Sequence, residues 1–393
     1  MDANNPYFKQ VQLLVRTLPY VAKERIFALK GGTAINLFVR DLPRLSVDID
    51  LSYLPLDDRE TALKNIAKAF SRIKSSMESA IPDVRVQHNS NEHRMIVSSV
   101  KDRVQVVVEL SPVLRGSVFP AEELALAQSA QKLFGSAKIQ VLSLPDLYAG
   151  KICAALDRQH PRDFFDIKLL MENEGISRDL IRAFLVYLIS HDRPISEVIA
   201  PPVLKDLREK YDREFKGMTE TPVSLETLQG VREKLIKTIH SSLVDTDKEF
   251  LLSFKAKAPK WDLLGLKGID QLPAVKWKML NLEKMKRDKH MESLAQLEKA
   301  LSGKARDMKN LENDPQLFYF YQNEEACVKI LTAHLNSPGY KKTYNPNTNL
   351  AEIQNLGNLA MVGFLQEVKT EPQVTYILTE RGVEFIEVWQ KRA

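Results

Sequence analysis

Gly31-Gly32-Thr33-Ala34 and, a short distance on, Arg44-Leu45-Ser46-Val47-Asp48-Ile49-Asp50-Leu51 form the stretch on which the reading of this chain turns. Paired glycines permit a tight turn and a close approach of other groups to the backbone. Thr33 to Val39 can leave that turn as a short helix, and Arg44 to Leu51 alternates apolar and polar residues, which is a strand signal. Side chains two apart on a strand point the same way. Asp48 and Asp50 therefore share one face, while Val47, Ile49 and Leu51 can enter the core from the other.

Upstream, Val11, Leu14, Leu18 and Val21 recur at helical spacing, so Pro6 to about Ala28 reads as one or two helices. Downstream, 57–80 reads as a helix and 84–88, 94–99 and 103–110 as strands. The fold class expected is α/β, with a small mixed sheet in a domain covering 1–135. Leu144-Pro145-Asp146 opens a second region, since proline suits the first turn of a helix. Helical patterns follow at 146–157, from Pro161 onward, at 176–190, 203–216 and 224–251, and from about 273 to 308. They make a helical domain, 136–310, that contributes to the active site and to substrate binding. Residues 311–393 read as a separate accessory domain. There Val374-Thr375-Tyr376-Ile377-Leu378 before Thr379-Glu380-Arg381-Gly382 suggests a winged helix, which can serve nucleic-acid binding, protein interaction or dimerisation.

Composition narrows the class. At 393 residues the chain exceeds one ordinary domain, and 44% hydrophobic with 27% charged residues is that of a globular protein, not a disordered or fibrous one. No stretch is long and apolar enough to span a membrane, and the N-terminus does not read as a signal peptide. The two cysteines, Cys153 and Cys327, offer neither a disulfide framework nor a thiolate cluster, and a cytoplasmic location is expected. The net charge of +5 is unevenly spread: residues 251–310 carry 14 Lys or Arg against 7 Asp or Glu. Such a segment suits a polyanion such as nucleic acid, or is simply a solvated face.

Paired carboxylates on one face can hold Mg2+, or Mn2+, as hard oxygen ligands beside substrate phosphates. Glu109 is the candidate third ligand, because Val104, Val106 and Val108 form the opposite face of its strand; it can instead cap an edge or pair with Arg115. Gly31, Gly32 and Thr33 can cradle phosphate through backbone N–H groups and a hydroxyl, or form a plain turn with Thr33 as helix cap. Lys151 and Arg158 are nearly two helical turns apart and share a face. Lys151 suits a triphosphate, and Arg158 or Arg162 suits phosphate or an RNA acceptor. Asp163 and Asp166 can orient a basic partner or assist an acceptor hydroxyl. The structural alternative is a surface ion-pair network, with Asp163 in a helical first turn.

The quoted core, with Leu144-Pro145-Asp146-Leu147-Tyr148-Ala149-Gly150-Lys151 and Arg158-Gln159-His160-Pro161-Arg162-Asp163-Phe164-Phe165-Asp166, resembles the nucleotidyltransferase superfamily, and within it the AbiEii/AbiGii toxin branch. The likeness covers about 20–305. It implies a metal-dependent nucleotidyltransferase toxin that moves a nucleoside monophosphate from an NTP to an acceptor. Asp48, Asp50 and Glu109 would be the metal set, Asp48, Asp50, Lys151 and Asp166 the catalytic residues, and Gly31, Gly32, Thr33 and Lys151 the nucleotide-binding residues. Arg158, Arg162 and Asp163 would bind substrate. It also implies a toxin–antitoxin or phage-defence setting, a cognate antitoxin, and RNA, in particular a tRNA 3′ end, as candidate acceptor. A protein acceptor and a noncatalytic nucleic-acid-binding regulator are the alternatives.

Overall fold

In the computed structural model the residues described are 6–89, 93–202, 207–219 and 221–302, with 330–334, 336, 341–344, 356, 365–370 and 373–378 beyond them. The chain divides into two compact units, Met1–Gly303 and Lys304–Ala393.

The first unit is built on a seven-stranded mixed sheet. Its strands are β1 (Phe27–Lys30), β2 (Asp48–Tyr53), β3 (Val84–Asn89), β4 (Arg94–Ser99), β5 (Val104–Leu110), β6 (Glu122–Ala125) and β7 (Lys138–Val141), in the order β3-β4-β5-β2-β1-β7-β6. β2 runs antiparallel to β1 and parallel to β5, and β1 runs parallel to β7. Helix α1 (Pro6–Val21) buries Val11, Leu14, Leu18 and Val21, and packs with α3 (Arg59–Ala80) against the sheet. Asp58 caps α3 by accepting the Thr61 N–H at 3.0 Å. Ile49, Leu51 and Tyr53 are buried, and the rings of Phe27, Tyr53 and Phe70 meet on that side. Alternation then sends Asp48, Asp50 and Ser52 to the opposite face.

That face is partly covered by α2 (Gly31–Ala34), which runs on through a π-helical turn at Ile35–Val39, and by the helical region, while Asp48 and Glu109 stay exposed. The helical region holds α5 (Leu144–Asp157), α6 (Pro161–Glu172), α7 (Arg178–Ser190), α8 (Ile195–Ile199), α9 (Leu207–Glu214), α10 (Leu225–Ser242), α11 (Asp245–Lys255), α12 (Pro273–Glu283) and α13 (Arg287–Leu301), whereas α4 (Gln128–Phe134) packs on α1, the rings of Phe8 and Phe134 lying 4.8 Å apart. Ser143 caps α5 and His160 caps α6, each followed by a proline in the first helical turn. The α/β class with a helical second region is as expected.

Several elements differ from the sequence expectation. Phe27–Lys30 is a strand, not the tail of a helix: its first three residues are buried on both faces, so no alternation marks it. β6, α4 and β7 were not anticipated; the two strands have four residues each, and the helix seven, too short for periodicity to build up. The 224–251 helix breaks at Leu243–Val244 into α10 and α11.

Among the described residues no helix is long and apolar enough to cross a membrane. In the second unit, β8 (Lys341–Tyr344), β9 (Leu365–Thr370) and β10 (Gln373–Leu378) form an antiparallel sheet in the order β8-β10-β9. The winged-helix expectation depends mainly on residues outside those described, including Thr379-Glu380-Arg381-Gly382.

Candidate active site

The glycine turn and the paired carboxylates meet. Gly31 has φ +74°, and a Cβ built on it would lie 2.3 Å from Asp50 Oδ2. A Cβ on Gly32 would lie 2.8 Å from a guanidinium nitrogen of Arg44 and 2.9 Å from Ser46 Oγ. The glycines thus admit a carboxylate to one side of the turn and an arginine to the other. Gly31→Ala is expected to cost about 1–2 kcal/mol from the left-handed backbone alone, and to push Asp50 off its position. A melting curve together with a nucleotidyl-transfer assay checks this; an alanine variant with wild-type activity would mean that Asp50 need not sit against the turn.

Thr33 is fully buried, and its hydroxyl donates to the Asp48 carbonyl at 2.5 Å, within 3.1 Å of Ser46 Oγ. It ties α2 to the start of β2, and neither caps the helix nor points a free hydroxyl at a phosphate.

Glu109 is the register partner of Asp50 on β5, and therefore lies on the carboxylate face. Its carboxylate pairs with Arg94 at 3.2 Å, not with Arg115, whose Nη1 donates to the Asp57 and Asp58 carbonyls. Although the Asp48 side chain reaches solvent, partial desolvation and the Asp50 charge raise its pKa, with Glu109 adding to the rise and Arg162 and Arg94 opposing it. Neighbouring carboxylates that repel one another are the donor set a divalent cation would neutralise. The residues present fit such an ion at Asp48 and Asp50. Among the described residues no three carboxylate, His or Cys groups converge into a ready-made cluster.

The second motif folds into a buried ion network. Asp166 is fully buried and receives Arg44 Nε at 2.8 Å, Arg44 Nη2 at 2.6 Å, Lys151 Nζ at 3.1 Å and Asn36 Nδ2 at 3.1 Å. Lys151 also donates to Asp163 at 2.9 Å, and Arg158 grips Asp163 through two bonds of 2.6 and 2.9 Å. Burial alone would raise the pKa of both aspartates, but Lys151 with Arg158, and Arg44 with Lys151, outweigh it and hold them below the usual carboxylate range. The network is internal, not a surface one, because α5 and α6 pack against each other over it. Asn36 also donates to the Gly32 carbonyl at 2.9 Å, so the network reaches the glycine turn.

The predicted residues are therefore brought to one region but divided by environment. Asp48, Asp50 and Glu109 stand on an open face. Lys151, Asp163 and Asp166 are buried and paired with one another. Arg158 and Arg162 lie between these sets: the Arg158 side chain is 59% exposed and feels Asp50, and Arg162 feels Asp48.

Three further residues were not singled out from the sequence: Arg44, Asn36 and Lys30. Arg44 stood in the quoted stretch, but only its pairing with α6 gives it a role. Lys30 ends β1 directly opposite Asp50. Burial lowers its pKa, partly offset by the Asp50 charge. A lysine abutting a glycine pair was the one sequence signal available.

A glycine turn stands against paired carboxylates on a mixed sheet covered by helices, and the family match places the chain among the nucleotidyltransferases. More particularly, the chain belongs to the AbiEii family of nucleotidyl transferase toxins of type IV toxin–antitoxin systems, whose family model matches residues 12–236. Membership implies a cognate antitoxin. Among solved structures, the chain is similar to MenT4, a nucleotidyltransferase toxin from Mycobacterium tuberculosis H37Rv, at 14% identity and a TM-score of 0.49, covering 74% of this chain and 93% of that one. No curated protein matches significantly.

Proposed function

We propose that this toxin is a metal-dependent nucleotidyltransferase that transfers a nucleoside monophosphate from an NTP to RNA, with a tRNA 3′ end as the favoured acceptor, in the cytoplasm. The observation that carries the metal dependence is the pair Asp48 and Asp50, two carboxylates on one face against Gly31, with no cation within ion-pairing distance among the described residues. Asp48 and Asp50 would hold Mg2+ or Mn2+, with Glu109 free to join by leaving Arg94. A divalent ion bound there supplies charge neutralisation at the reacting phosphate.

The acceptor hydroxyl oxygen attacks the α-phosphorus, a new P–O bond forms, and the α–β phosphoanhydride bond breaks to release pyrophosphate. The hydroxyl proton leaves to water on the solvent side of Asp48. Arg158 and Arg162 bind acceptor or substrate phosphate from the helical side. Lys151, Asp163, Asp166 and Arg44 act as positioning residues, holding α5, α6 and the glycine turn in place. Positioning and electrostatics are the principal contributions asked of a protein in phosphoryl transfer. RNA is favoured by the surplus of lysine and arginine in 251–310 and by Trp277 on α12, 55% exposed beside the exposed Lys276. An open aromatic with a neighbouring cation suits base stacking.

The test is incorporation from each labelled NTP into total RNA and total protein with Mg2+, against Asp48→Asn/Asp50→Asn. Label in RNA that depends on the carboxylates is the expected result, and blocking of tRNA charging would then explain growth inhibition. Label in protein alone would redirect the acceptor. No carboxylate-dependent label in either pool would leave a noncatalytic binding role as the better account.

A further inference from the structure

Three segments distant in sequence wall a groove of about 690 Å³. β2 runs on into residues 56–59, β5 into Pro112 and Val113, and α12 supplies Pro273, Lys276, Trp277 and Leu280. The two strands are those that bear Asp50 and Glu109, and Pro112 stands three residues beyond Glu109. At about 3.5 Å per residue, the near wall is within about 11 Å of the carboxylate face. The lining is largely apolar: Leu56, Val113, Trp277 and Leu280 are each between 41% and 55% exposed, and all four line the groove. Exposed apolar side chains scattered singly are ordinary, but four gathered in one concavity mark a binding surface.

The charges that line the groove and remain unengaged are of one sign. Asp57 accepts the Tyr53 hydroxyl, and Asp58 accepts the N–H and hydroxyl of Thr61, so both carboxylates are used within the fold. Arg59 and Lys276 form no ion pair among the described residues. Trp277, Leu280 and Lys284, the C-cap of α12, are spaced at i, i+3 and i+7 and share one helical face. That face leads into the turn 284–289, where Lys284, Lys286, Arg287 and Lys289 are exposed beside a single carboxylate, Asp288. A peptide brings charges of both signs, whereas a nucleic-acid strand brings a flat ring and one negative charge at every unit. The second is the complement of an apolar groove that opens onto a run of cations.

We propose that this groove holds unpaired nucleotides a few positions in from the reacting 3′ end of the RNA acceptor. One base stacks on Trp277 between the aliphatic walls, and the phosphates beside it meet Arg59, Lys276 and Lys284. The inference rests on the reading of transfer to RNA above, and adds a condition which that reading does not contain. The acceptor must be single-stranded from the carboxylates as far as Trp277, because a base held in a duplex stack offers the indole no open face. The groove thereby selects for an unpaired end, whatever the sequence behind it.

The experiment is fluorescence-anisotropy titration of the full chain, with Mg2+ and without NTP. The probes are a 5′-labelled unstructured RNA heptamer and a labelled RNA hairpin with a blunt, fully paired end. Wild type, Trp277→Ala, Trp277→Phe and Lys284→Ala are compared, with a melting curve for each. Loss of one base stack predicts weakening of heptamer binding by about tenfold in Trp277→Ala, with Trp277→Phe within a few-fold of wild type. Lys284→Ala should flatten the slope of log Kd against log salt by about 0.7, the share of one phosphate contact on a single strand. Wild type should favour the heptamer over the hairpin, and Trp277→Ala should lose that preference. Three results overturn the groove: no heptamer binding by folded wild type, preference for the blunt hairpin, or undiminished heptamer binding by folded Trp277→Ala. The last would leave a protein partner as the occupant of the apolar surface. Transfer is assayed in parallel. Carboxylate-dependent transfer with undiminished Trp277→Ala binding sinks only the groove, whereas Trp277-dependent binding without transfer sinks only the enzymatic reading.

Discussion

Asp48→Asn and Asp50→Asn are each expected to lower nucleotidyl transfer by about 10³-fold, while the protein melts at or slightly above the wild-type temperature. The size follows from what such a site supplies: charge neutralisation at the reacting phosphate is worth several kcal/mol, and each 1.36 kcal/mol is a factor of ten in rate. The stability half follows from the geometry. The two carboxylates repel one another on an open face, and desolvation together with Asp50 raises the Asp48 pKa. A folded-state pKa above the unfolded value means that the charged form is disfavoured by folding at neutral pH, a cost that disappears as pH falls below the unfolded value. Asparagine removes the charge and with it that cost. EDTA should bring the wild type down toward the variants. A variant retaining transfer to within tenfold would remove its aspartate from the site, and a drop of many degrees would make the pair structural.

The largest loss of stability is expected from Asp166→Ala. It removes the fully buried carboxylate that receives Arg44, Lys151 and Asn36, and leaves the Arg44 and Lys151 cations without it, the latter retaining only Asp163. Breaking a buried pair from one side typically costs about 3–5 kcal/mol, because the remaining charge is uncompensated. For a unit of this size that is on the order of ten degrees in melting temperature. Adding Lys151→Met should recover part of the loss, since it removes one of the stranded charges; a double variant no more stable than Asp166→Ala would show that the two residues are not coupled.

The same network sets the acid behaviour. Asp163 and Asp166 have folded pKa values below their unfolded ones, so their stabilisation is fully present above the unfolded carboxylate value of about 4. It is lost as pH falls from there through the depressed folded values. Asp166→Ala should therefore show a shallower loss of stability below pH about 4 than the wild type.

Local pattern made much of the molecule legible. Helix α1, helix α3, strands β3 to β5 and the proline-led starts of α5 and α6 lie where the sequence puts them, because each depends on spacing or on a residue in its own first turn. The Asp48 and Asp50 face was readable for the same reason: alternation along one strand fixes which side chains point together. β1 was not readable, since a strand buried on both faces has no alternation, and with it went the role of Lys30. Which residue lies opposite Asp50 is a matter of strand register, and no local signal encodes it.

The sequence by itself determined that a glycine turn precedes a strand bearing two same-face carboxylates, and that Lys151, Arg158, Asp163 and Asp166 belong to one helical neighbourhood. Only the tertiary structure decided what those charges meet. α5 packs on α6 and brings Lys151 and Arg158 onto Asp163 and Asp166, while the loop before β2 delivers Arg44 to Asp166. Burial makes a paired charge far cheaper than a free one, so residues that read as available for substrate are spent on one another. The cations left with unused donors are those whose neighbours in space supply no acceptor, and that is a property of packing, not of spacing.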